Sequence, residues 1–117
     1  MQDAGELPPT AEEALALAFA TRHAAGLRYV AAWGRWLGFD GARWQLDDTL
    51  HAFDHARAVC REAALEHQKP ASAVASAKTV AAVKRLAKAD RRLAATAMQW
   101  EAGGWFFNTG DGNESDV

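Results

Sequence analysis

The chain has little of what covalent or metal chemistry needs. Cys60 is the one cysteine among 117 residues, so no internal disulfide forms and nothing points to an oxidising compartment. Proline is confined to positions 8, 9 and 70. No stretch approaches the roughly 18 apolar residues of a membrane span. Residues 1–9 are acidic and lack the apolar core of a signal peptide. The resulting expectation is a soluble, cytoplasmic protein with no membrane role. A G-x-x-x-x-G-K-[ST] loop is missing, and with it a phosphate cradle for a nucleoside triphosphatase. G-x-G-x-x-G, C-x-x-C and any acid pair in a strand context are missing too. The chain therefore reads as non-enzymatic, with no cofactor.

What is present is alanine, and a concentrated set of aromatics. Half of the residues are apolar, but alanine favours helix while contributing little apolar area, so the large side chains must supply the core. The length suits one domain. Residues 27–48 hold three of the five tryptophans and the only tyrosine around a central Asp40-Gly41. Asp-Gly between apolar runs predicts a hairpin, because Gly supplies the positive φ of a tight turn. Its arms are expected over 35–39 and 42–46, with 27–30 as a further short strand. A two-residue loop sets Leu37 opposite Trp44 and turns Trp36 and Arg43 to the other side; a loop longer by one residue swaps the faces.

Helices are expected elsewhere. A first helix begins at Thr10, where Thr10 and Glu13 match a capping box, carries a stripe of Leu15, Ala18, Phe19 and Arg22, and ends near Gly26. A second, capped by Asp47 or Asp48, runs to about Glu66 with Leu50, Phe53, Ala56, Cys60, Ala63 and Ala64 on one face. Gln68, Lys69 and Pro70 break it. A third runs over 71–89 and a fourth over 91–100, ended by Gly103-Gly104. Residues 1–9 and 110–117 read as a disordered lead-in and acidic tail around a single domain over 10–109. The fold class is mainly α (α+β), about four helices with a small antiparallel β element in the N-terminal third. Leu15, Phe19, Tyr29, Leu37, Trp44, Leu50, Phe53, Val83 and Leu93 are the expected core.

Net charge is only −2, yet it is unevenly spread. Residues 69–92 carry seven bases and one acid, while 1–20 and 101–117 each carry four acids and no base. On the third helix Lys78, Lys84, Arg85 and Lys88 fall on one side, and Arg91 and Arg92 continue it if the helix does. This face is the candidate nucleic-acid interface, with Trp36 and Arg43 of the hairpin as stacking partners. The plain alternative is a solvated face that keeps an Ala-rich chain soluble. His51 and His55 share one side of a helix, but they lack the Glu of H-E-x-x-H and a third ligand, so no metal is assigned. Cys60 reads as a small buried hydrophobe. The pairs Glu12-Glu13 and Asp47-Asp48 sit at helix starts, where carboxylates complement the dipole.

Taken in order, several segments resemble a known pattern. They are Ala14-Leu15 with Phe19 and His23, Leu27-Arg28-Tyr29-Val30, Gly34-Arg35-Trp36-Leu37, Asp40-Gly41-Ala42-Arg43-Trp44, Asp48 and Ala56-Arg57. Together they resemble the domain that precedes the superfamily 3 helicase in phage and plasmid primase–helicases, shared with poxvirus-type primases. Residues 105–112, WFFNTGDG, are similar to that family's W-L-L-N-T-P-x-G segment, with Gly110 in place of Pro. The likeness spans roughly 11–112, and the chain stops five residues after Gly112. It implies a non-catalytic domain of mobile-element DNA replication, stand-alone or truncated, that contacts single-stranded or duplex DNA or other replication subunits. Priming and unwinding are not implied, because neither catalytic module is present. The alternative is a small phage-encoded protein that binds and blocks a host machine, such as an anti-CRISPR inhibitor, its acidic ends mimicking nucleic acid.

Overall fold

A first helix, α1 (Glu12–His23), leads into three short strands, β1 (Leu27–Val30), β2 (Arg35–Phe39) and β3 (Trp44–Leu46). Then come α2 (His51–Glu66), a single turn α3 (Ala71–Val74), α4 (Ala77–Ala87) and a two-residue strand β4 (Ala94–Ala95). The structure, a computed structural model, describes residues 8–99. The expectations for residues 1–7, for the 105–112 segment and for the acidic tail lie outside the described residues.

The strands form one sheet in the order β3-β2-β1-β4, antiparallel except for the parallel β1–β4 pair. The Asp-Gly hairpin is present with a longer loop than two residues. Phe39 pairs with Trp44 and Leu37 with Leu46, so residues 40–43 make the turn. Asp40 closes it: its Oδ1 accepts the amides of Ala42 and Arg43, both at 2.8 Å. Gly41 takes φ 101 there. Because the register slips by two residues and not one, the side-chain parity survives: Leu37 and Trp44 still share a face, though not as direct partners. The β1–β2 turn is a second tight connection, in which Gly34 adopts φ 64.

The sheet separates two clusters. One face places Leu27 and Trp36 against Leu15, Phe19, Val59, Cys60, Val80, Val83 and Leu93 in the main core. The other face holds a smaller cluster of Val30, Leu37 and Trp44, flanked by Trp33, Phe39, Ala95 and Ala97. Arg28 lies over the Trp44 ring at 5.3 Å.

Five local expectations change. The Thr10–Glu13 capping box does not form: α1 starts one residue later, with Ala11 at its N-cap and no side-chain cap bond. Its buried stripe is Leu15, Ala16, Phe19 and Ala20, with Ala18 exposed. Leu50, expected in the core, is 68% exposed because it precedes α2 in the left-handed region, φ 65. Asp47 holds that helix start, its carboxylate accepting the amides of His51 at 2.9 Å and Ala52 at 2.8 Å. The expected helix over 71–89 is two helices, because the Ser76 hydroxyl accepts the Thr79 amide and caps α4 afresh. Finally, 91–96 is not helical. Residues 91–93 turn so that Leu93 is fully buried, Ala94–Ala95 joins the sheet, and a helical turn begins only at residue 97. Thr96 and Gln99 cap that turn reciprocally, at 2.7 and 3.1 Å.

Candidate nucleic-acid interface

Helix α4 is amphipathic for a simple reason. Val80, Val83 and Ala87 enter the main core, and at 100° per residue this leaves Lys78, Lys84, Arg85 and Lys88 on the remaining arc. Lys78 and Arg85 are exposed. Lys84 and Lys88, one turn apart, lie along the flank that faces β1 and α2. There the Lys84 ammonium sits 5.3 Å from the centroid of the Phe53 ring, and the Lys88 ammonium 4.8 Å from that of Tyr29. Burial lowers the pKa of Lys84 and the neighbouring Lys88 charge lowers it further, against the opposing pull of Asp47. None of these four cations forms an ion pair with a carboxylate among the described residues.

Arg91 and Arg92 are not on the helix, which ends at Ala87. Arg92 is committed elsewhere: its Nε and Nη2 donate to the two oxygens of Asp90 at 2.9 Å, and its Nη1 donates to Thr21 of α1 at 2.8 Å. The Asp90 carboxylate correspondingly raises the pKa of Arg92. Arg91 donates to the Ala89 carbonyl at 3.0 and 3.2 Å. The structure thus brings together four of the six helix-three cations as one surface and turns Arg92 toward α1.

The two hairpin candidates are not part of that surface. Trp36 is 7% exposed and packs in the main core, edge-on to Phe19 at 6.0 Å and tilted against Tyr29 at 5.1 Å. Burial there leaves no ring face for a nucleobase. Arg43 lies in the β2–β3 turn, at the sheet edge opposite β4. The aromatics that do lie beside the cations are Tyr29 and Phe53, which the sequence pattern assigns to the core. Both are only partly buried.

On the other flank of α2, Asp40, Gln45, Asp47, Asp48, His51 and His55 line a groove of about 500 Å³. Its carboxylates oppose a phosphate. Asp40 is held below the usual carboxylate range by the Arg43 and Ala42 amides. Burial alone would raise Asp47, but the amides of Ala52, His51 and Thr49 outweigh it and hold this group low as well. Beside the groove His55 stacks on His23 with ring centroids 4.4 Å apart. Burial, then the His55 and Arg22 charges, push the pKa of His23 down to about 4. Among the described residues no group of three or more His, Cys, Asp or Glu side chains could hold a metal ion. Cys60 is fully buried and its thiol is pushed up to about 11 by that burial, which removes the thiolate a nucleophile needs.

No described helix is long and apolar enough to cross a membrane. No curated protein and no solved structure matches the chain. One family model does match, over residues 16–113, under the description D5 N terminal like. That match covers the whole sheet, α2 to β4 and most of α1. The chain therefore belongs to the D5 N terminal like family, the N-terminal domain found in phage and viral primase–helicase proteins.

Proposed function

We propose that this chain is a non-catalytic domain of mobile-element DNA replication that binds DNA through α4. The family membership supports the replication setting. The observation that carries the DNA contact is the set Lys78, Lys84, Arg85 and Lys88, four cations on one helix with no ion-pair partner among the described residues. Surface cations of an ordinary solvated helix are commonly laced with acids at i, i+4 spacing; α4 and its C-cap contain no acid at all. Such a surface binds phosphates without reading sequence.

Replacing Lys84→Glu together with Arg85→Glu tests this. In fluorescence anisotropy the double variant should bind DNA roughly tenfold or more weakly, equally for unrelated sequences, because only backbone contacts are lost. Circular dichroism should show an unchanged fold. Equal affinity for the variant and the parent would remove α4 from the interface. No binding by the parent even at low salt would leave a protein partner as the remaining reading.

A further inference from the structure

We infer that the seam between α4, β1 and the start of α2 is a single-strand site, in which Tyr29 and Phe53 stack bases while Lys88 and Lys84 hold the adjoining phosphates. The inference rests on the DNA-binding reading above and narrows it to one strand form. Three elements converge on this seam. β1 supplies Tyr29, α2 supplies Phe53, and α4 lays one ammonium against each ring, at 4.8 and 5.3 Å. The two ring–ammonium pairs repeat at the Lys84-to-Lys88 interval, about 6 Å along the helix, which is close to the interval between neighbouring phosphates of an extended strand. Neither ring is wholly enclosed. Tyr29 is backed by Trp36 at 5.1 Å, so its body is anchored in the core, and the residue is only half-buried.

The chemistry of exchange favours a nucleotide. A lysine over a ring at a wet surface contributes only a few-fold to an equilibrium, and its four-carbon stem lets the ammonium swing aside. A base stacked on the same ring contributes roughly 5- to 100-fold. The displaced ammonium then meets a phosphate. The seam is also electrostatically unsatisfied: Lys84 is partly desolvated and stands near the like charge of Lys88, and an anion between them relieves both. Asp47, the acid whose charge reaches Lys84, has its oxygens held by the amides at the start of α2 and forms no ion pair with that lysine. Bases inside a duplex are stacked on each other and offer no free face, so the rings select a single strand.

The test uses the full chain, a labelled oligothymidylate of about 20 nucleotides and a duplex of the same length. Tyr29→Leu and Phe53→Leu keep an apolar side chain but remove the ring. Each should weaken single-strand binding roughly 5- to 50-fold while leaving duplex binding and its salt dependence unchanged, and Tyr29→Phe should retain the parent affinity. Unchanged single-strand affinity in both leucine variants, with Lys84→Glu/Arg85→Glu still damaging, overturns the stacking site and leaves the DNA reading standing. Absence of binding by the parent to either DNA overturns both. If a leucine variant fails to fold, photocrosslinking of the parent to a 5-iodouracil oligonucleotide gives the answer without it. Adducts at Tyr29 or Phe53 are expected, and adducts confined to other residues overturn the proposal.

Discussion

Asp47 and Leu50 show how one residue starts a helix for another. Leu50 occupies the N-cap of α2 with φ 65, a conformation that costs an L-residue roughly 1–2 kcal/mol. The Asp47 carboxylate compensates by taking amides that the missing cap side chain would otherwise accept. Asp47→Ala should therefore lower stability by about 1–2 kcal/mol in urea denaturation. Leu50→Gly should be neutral or stabilise by up to about 1 kcal/mol, although glycine in a helix interior does the opposite. A loss above about 1 kcal/mol for Leu50→Gly would mean that the exposed side chain packs on something. The spacing of Leu50 and Phe53 read as one apolar face in the sequence because a helix that begins at Asp47 would place them so. Where a helix starts depends on which carboxylate reaches which amide, and that is a tertiary outcome.

At the scale of elements, α1 and α2 are joined by an exposed Arg22–Glu62 pair at 2.6 Å and by the His23–His55 stack. Surface pairs contribute little, so the histidine contact has the larger say at acid pH. The pKa of His23 is about 4 in the folded chain against an ordinary 6.5. Between those values the unfolded chain binds the extra proton, so stability falls as pH drops from about 6.5 to about 4 and this contribution levels off below. His55 and Arg22 are the charged neighbours that sharpen the effect. Thermal melts across that window should show a falling midpoint in the parent and a flatter profile in His23→Phe, which keeps a ring and removes the titration. Parallel profiles would show that another group sets the slope.

Other elements explain what was legible. The hairpin strands, the faces of Leu37 and Trp44 and the break after α2 all follow from local periodicity and turn chemistry. β4 was not legible: Ala94-Ala95 has no strand character, and its pairing with Tyr29 and Val30 arises because burying Leu93 forces the chain to turn after α4. The break at Ser76 was hidden by the helix propensity of the alanines around it.

At the scale of the whole molecule, charge and the family pattern carried the reading furthest. The basic segment within a chain of net charge −2 was visible in the sequence, and helical spacing grouped Lys78, Lys84, Arg85 and Lys88 correctly. Trp36, read as an exposed hairpin residue, lies in the core, while Tyr29 and Phe53, read as core, are only partly buried, because an aromatic at a buried-pattern position looks the same in sequence whether it is enclosed fully or in part. The commitment of Arg92 to Asp90 was equally invisible. With Arg91 also off the helix, which ends at Ala87, the arithmetic changes: six phosphate contacts on a single strand imply a salt slope near −4, whereas the four α4 cations imply about −3.

That slope reports the α4 phosphate contacts directly. Anisotropy of the parent chain on labelled single-stranded DNA, titrated from roughly 50 to 200 mM salt, should give micromolar or tighter binding at the low end and a loss of about 50-fold across the range. Absence of binding at about 50 mM salt, or an affinity indifferent to salt, would contradict the assignment of α4 as a phosphate-binding surface.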